Sequence, residues 1–152
     1  MPVDLRSHLT AQLHQTLGFY KKDIAASTDE QLGTPLNGTT RTVYDFLFEC
    51  EFVNRRMTQR IKQEEPSPWP WTELAVAPEE WRNRETAMSR FEESVNNLLA
   101  AAIEDPDKEI VLPDEVTNAF ALALFADMHS VYHLGQINYV QTAYGDTKMH
   151  WM

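Results

Sequence analysis

His129 and His133 stand four residues apart in the apolar stretch MHSVYHLGQI, Met128–Ile137, of a chain that has only five histidines. On a helix, residues four apart share a face, so two imidazoles at this spacing can turn nitrogens toward one point. Imidazole is a common metal ligand. The pair is not the HExxH of zinc proteases, because Ser130 and not Glu follows His129. Two readings follow from the spacing. One is a hydrogen-bonded core pair, since a buried polar group without a partner costs about 1–3 kcal/mol. The other is a metal site whose third ligand comes from a different helix.

Four amphipathic segments are available to position such a site. Leu5, Leu9, Leu13, Leu17, Tyr20 and Ile24 recur every three or four residues between about Val3 and Ser27, and Val43, Phe46, Leu47, Cys50, Val53, Met57 and Ile61 do so between about Arg41 and Glu64. The third segment starts near Pro78 and runs to about Glu104 along Trp81, Met88, Phe91, Val95, Leu98 and Ala102. The fourth runs from about Val116 to Tyr144, with Gly145 as a stop. Only EIVL, Glu109–Leu112, has strand-like composition, and it is too short to build a sheet. The spacing therefore predicts an all-α protein, an antiparallel up-and-down four-helix bundle, formed as one domain over residues 1–152.

Periodicity also predicts orientation. On the fourth helix Asp127, Ser130, Asn138 and Gln141 share one side, expected to be the polar one. His129, His133, Gln136 and Val140 lie opposite, with Leu122, Phe125, Ala126 and Ile137, on the side expected to enter the core. Strict alternation of direction makes the second and fourth helices parallel and brings FECEF, Phe48–Phe52, near the height of His129. Glu49 and Glu51 flank the apolar stripe there on opposite sides, and periodicity leaves the choice between them open. Cys50 falls on the stripe and reads as a small core residue.

Around this centre, Gln136 is placed to orient a ligand or a water, or to act as a core amide. Tyr132 and Tyr139 flank the histidine face as pocket lining or as core. Gly135 costs about 1 kcal/mol relative to Ala inside a helix, which close approach by a neighbouring helix would explain. Arg84 is placed to meet a substrate carboxylate at a pocket mouth, or else to snorkel or pair with an acid. His8 and His14 lie off the leucine stripe and are expected to face solvent or a partner. The PWPW loop, Pro68–Trp71, reads as cover for a bundle end, shared with His150 and Trp151.

A net charge of -10 argues against nucleic acid as the main partner and against docking on anionic membranes. The amino terminus shows no apolar signal region, and a single cysteine excludes an intrachain disulfide, so a cytoplasmic location is expected.

The leucine-rich first helix, RTVYDFLFECE (Arg41–Glu51) opening the second, and above all HSVYHLGQINYVQTAYGD (His129–Asp146) together resemble the DinB/YfiT-like superfamily of metalloenzymes. That resemblance implies a four-helix bundle, frequent homodimers, and a divalent metal held by one His of the second helix and the two of HxxxH. His129 and His133 match the pair, and Glu49 stands where the family usually has His. The implied ligand set is Glu49, His129 and His133, two imidazoles and a carboxylate, which suits Zn, Ni, Fe or Mn. The implied activity is small-molecule or thiol-linked transfer, isomerisation or hydrolysis, in detoxification or stress response. Arg84, Tyr132 and Gln136 are the candidate substrate contacts. The competing expectation is a non-catalytic dimeric bundle with a structural His pair. A homodimer is expected in either case, with the aromatics of the 65–77 linker and the tail available for the interface.

Overall fold

Apolar spacing and capping chemistry together set the helix bounds. The computed structural model describes residues 4–152, so Val3, the expected first residue of the first helix, lies outside the described residues. Helix α1 spans Leu5–Ala26, opens on the Asp4 side chain, and buries Leu9, Leu13, Leu17, Tyr20 and Ile24. A short α2, Asp29–Gly33, forms within the expected turn, because Thr28 and Gln31 make a reciprocal capping box. Helix α3 spans Val43–Ile61 and opens on a second box between Thr42 and Asp45. Helix α4, Arg84–Glu104, is capped by Asn83 and preceded by a 3-10 turn at Glu79–Trp81. Helix α5 spans Ala119–Ala143 behind the Asn118 cap.

The fourth long helix starts later than the spacing predicts. Val116–Asn118 forms strand β2, paired antiparallel with β1, Glu109–Val111, with Ile110 opposite Thr117. The first three residues of EIVL thus find a partner of equal length, and Ile110 is buried in the common core. The chain remains mostly helical.

Four long helices, α1, α3, α4 and α5, share that core, but their directions do not alternate. Arg6 bonds the carbonyls of Ile103 and Glu104 while Arg84 bonds those of Ile24 and Ser27, so α1 and α4 are antiparallel. Gln12 meets Asp127, Tyr20 meets Ser130 and Asp23 meets Asn138, so α1 and α5 are parallel. Phe46 lies on His133 and Cys50 near His129, so α3 and α5 are antiparallel. The expected strict up-and-down alternation is therefore corrected.

The segment between α3 and α4 supplies the reason. It folds back along α3: Ser67 bonds Arg55, Arg56 and Gln59, Trp71 packs on Phe52 and Phe48, and the Ala77 amide donates to Asp45 Oδ1 at 2.7 Å. The chain returns to the start of α3 before α4 begins, and α3 and α4 run parallel. The PWPW residues consequently cover the side of α3 and not a bundle end. Trp151 packs elsewhere, stacked on Phe19 at 4.3 Å with its indole N–H donating to Asp23.

Candidate metal centre

The centre lies where the middle of α5 crosses the first half of α3. His133 is 1% exposed, and Glu49 and His129 are largely buried. Glu49 Oε1 stands 3.2 Å from His129 Nε2 and 3.5 Å from His133 Nε2. Cys50 Sγ lies 4.0 Å from His129 Nδ1. Cys50, His129 and His133 form a group whose ligand atoms lie within 4.8 Å of one another and which can hold a metal ion.

Each ring has its far nitrogen occupied. His133 Nδ1 donates to Gln136 Oε1 at 2.6 Å, and the Gln136 amide group donates to the Tyr132 hydroxyl at 3.3 Å. That bond fixes the tautomer and leaves a lone pair on His133 Nε2, which is buried without a hydrogen-bond partner. His129 Nδ1 faces the Cys50 sulfur, and its Nε2 faces Glu49. Both Nε2 atoms thus turn toward one carboxylate oxygen. Two ligand atoms held about 2.1 Å from one tetrahedral ion stand about 3.4 Å apart, and the spacings around Glu49 Oε1 match that value.

The remaining contacts hold the carboxylate in place. Glu49 Oε2 is ion-paired with the largely buried Arg41, whose guanidinium lies 5.1 Å from the Phe46 ring centre. Phe46 in turn stacks on His133 at 5.2 Å. Burial works against the Glu49 charge, but His129 and the Arg41 guanidinium outweigh it and hold its carboxyl well below the usual range. Cys50 is in the opposite condition. Burial pushes its thiol up to about 12, against its contacts with Tyr20 and Ser130, so the sulfur sits behind His129 as a neutral thiol. The Tyr20 hydroxyl, 3.5 Å from that sulfur, donates to the Ser130 carbonyl at 2.7 Å.

Of the residues singled out by spacing, Glu49, His129, His133 and Gln136 are brought together, with Tyr132 at the edge. Glu51 turns away and pairs with Arg55 at 3.1 Å. Arg84 is not at this centre: its guanidinium binds the last carbonyls of α1 and Asp29, so the pairing alternative holds and the substrate role is corrected. Tyr139 and Phe125 are solvent-exposed and not core. His8 and His14 face solvent as expected. Arg41 was missed. An arginine eight residues before Glu49 lies beyond helical pairing distance, and only its place just ahead of the Thr42 cap lets it reach back.

The assignment of Asp127, Ser130 and Gln141 to a solvated side is also corrected, since all three are buried against α1. No known family model matches the chain, and no curated protein matches it. No helix among the described residues is long and apolar enough to cross a membrane.

Proposed function

We propose that this chain is a metal-dependent enzyme acting on a small molecule, a four-helix bundle of the DinB/YfiT-like kind with a crossover between α3 and α4. The observation that carries the reading is the orphaned His133 Nε2, fixed by Gln136 and aimed with His129 Nε2 at Glu49 Oε1. Glu49, His129 and His133 are the residues that would hold a divalent transition ion. When bound, the ion supplies Lewis acidity toward an oxygen or sulfur of the substrate. Gln136 keeps the His133 ring in the binding tautomer, Arg41 keeps Glu49 in its rotamer and ionised, and Phe46 excludes water from the inner side. Access is through the partly exposed edges of His129 and Glu49. The set suits Zn, Ni, Fe or Mn, and thiol-linked transfer, isomerisation and hydrolysis all use this kind of polarisation.

A non-catalytic reading also has an observation in its favour: Arg41 already neutralises Glu49, so a metal-free polar cluster is nearly balanced. Metal titration separates the two. Wild-type protein is expected to bind roughly one divalent ion per chain. Glu49→Ala, His129→Ala and His133→Ala should each lose that binding while keeping their helicity. Cys50→Ser and Glu51→Ala should keep it, and Glu49→His should keep it with a different metal preference. Wild-type protein that takes up no ion overturns the reading in favour of the polar cluster. Loss in Cys50→Ser with retention in Glu49→Ala moves the third ligand to sulfur.

A further inference from the structure

A cavity of about 270 Å³ lies at the carboxyl end of α5, under the tail of the chain. Asp23 lines it from the last turn of α1, Asn138, Gln141 and Thr142 from the end of α5, and Asp146 and Trp151 from the tail. None of its lining residues belongs to the metal centre.

Asp23 is 1% exposed. Its Oδ2 accepts from Asn138 Nδ2 at 2.5 Å and from the Trp151 indole N–H at 2.9 Å, while its Oδ1 is buried without a hydrogen-bond partner. An unmatched buried acceptor is costly. The side-chain donors beside it on α5 are already used. Both Asn138 amide hydrogens go to Asp23 Oδ2 and Gln141 Oε1. Both of Gln141 go to the Asp23 carbonyl and Ser27 Oγ, and the Thr142 hydroxyl donates to the Asn138 carbonyl. What these side chains still offer is oxygen lone pairs, on Asp23 Oδ1, Asn138 Oδ1, Gln141 Oε1 and Thr142 Oγ1. A helix wall of acceptors without a spare donor selects a ligand that donates.

The field has the matching sign. Helices α1 and α5 run parallel and both finish here, each bringing about half a negative charge. Neither has a basic residue in its last turn. Arg84 meets the α1 end from α4, but Asp23 and Asp146 add two carboxylates. Of the basic tail residues that line the cavity, Lys148 is exposed and His150 is taken up by Asp146 at 2.8 Å.

We propose that this cavity binds a small organic ammonium ion, which donates to Asp23 Oδ1 and to the spare oxygens of α5. A primary ammonium has three donors and no acceptor, the complement of this wall. Size favours an organic ligand over a bare metal ion. A water takes about 30 Å³, so 270 Å³ has room for roughly nine non-hydrogen atoms. Met149 and the Trp151 ring are there for the carbon part to lie on. The tail closes the site: Trp151 stacks on Phe19 at 4.3 Å, and Lys22 donates to its carbonyl at 2.8 Å. Because Asp23 Oδ1 is closed to solvent, entry requires the tail to shift. The Trp151 indole N–H, bonded to the other oxygen of the same carboxylate, senses that shift.

That N–H makes the test direct. In two-dimensional proton–nitrogen spectra of the full chain the four tryptophans give one indole peak each, and Trp151→Phe identifies its own. At neutral pH and millimolar concentration, n-butylamine should move the Trp151 peak saturably and leave the other three in place. n-Butanol, of the same shape without the charge, should not move it. Asp23→Asn should weaken the n-butylamine response by about tenfold or more, with the other three peaks in place as the sign of a folded chain. If those peaks collapse, Thr142→Val, at an exposed position, replaces it and should weaken binding by roughly fivefold. A Trp151 peak that ignores n-butylamine overturns the proposal. So does an equal response to n-butanol, or undiminished binding in the folded variant. Movement with calcium chloride alone and none with n-butylamine would overturn the organic ligand in favour of an inorganic cation.

Discussion

The two sides of α5 reverse the usual arrangement of a surface helix. Toward α1 it turns Asp127, Ser130, Asn138 and Gln141, and of these Asp127, Ser130 and Gln141 are buried. Away from the core it turns Phe125, Met128, Tyr132 and Tyr139, all exposed. The inner side is tolerable because its polar groups are matched one by one: Asp127 by Gln12, the Ser130 carbonyl by Tyr20, Asn138 and Gln141 by Asp23. The outer side is unmatched within the chain. Burial here follows from whether a partner exists, and residue type alone does not decide it.

Three measurements would break or sharpen that contrast. The largest effect is expected from Tyr20→Ala, which removes a fully buried ring packed on Phe91 and the donor to Ser130. By analogy with other large-to-small core changes it should cost about 3–5 kcal/mol in chemical denaturation. A loss below about 1 kcal/mol would mean that the inner side is not a tightly matched core.

An intermediate effect of opposite sign is expected from Asp127→Asn. Burial pushes this carboxyl above its ordinary range, against the hydrogen bonds from Thr16 and Gln12. A carboxyl raised in the folded state favours folding below its unfolded value, and that advantage is lost as pH rises through the folded value. At pH 7 the ionised side chain is therefore a net cost, and the amide should raise the melting temperature by about 2–4 °C, the shift for about 1 kcal/mol at this size. The gain should vanish below the ordinary carboxylate range. An equal gain at both pH values would show that ionisation is not its source.

The smallest effect is expected on the outer side. Tyr139→Ser should change unfolding free energy by less than about 0.5 kcal/mol. A larger loss would show that Tyr139 packs within its own chain.

The same contrast explains what could be read from the residues alone. The leucine stripe of α1 and the four-residue step from His129 to His133 are local, and both placed their elements correctly. Periodicity states which residues share a side, but not which side is covered. Asp127, Ser130 and Gln141 looked solvated because Gln12, Tyr20 and Asp23, which satisfy them, lie more than a hundred positions earlier. The direction of α4 was hidden for a related reason, since it depends on Ser67, Trp71 and Ala77 folding back along α3. Glu49 still met the histidines because it and they lie near mid-helix, where reversing a helix changes height least.

That reversal has an electrostatic consequence. Parallel neighbours bring like ends of their macrodipoles together, about half a positive charge at each amino end and half a negative at each carboxyl end. Where α3 and α4 begin, the buried Asp45 carboxylate accepts from the Thr42 and Ala77 amides and from Arg82. Where they finish, Lys108 donates to the Ile61 carbonyl, and Arg6 to those of Ile103 and Glu104. The crossover thus comes with its own counterions, an anion fixed at one end of the parallel pair and two cations at the other.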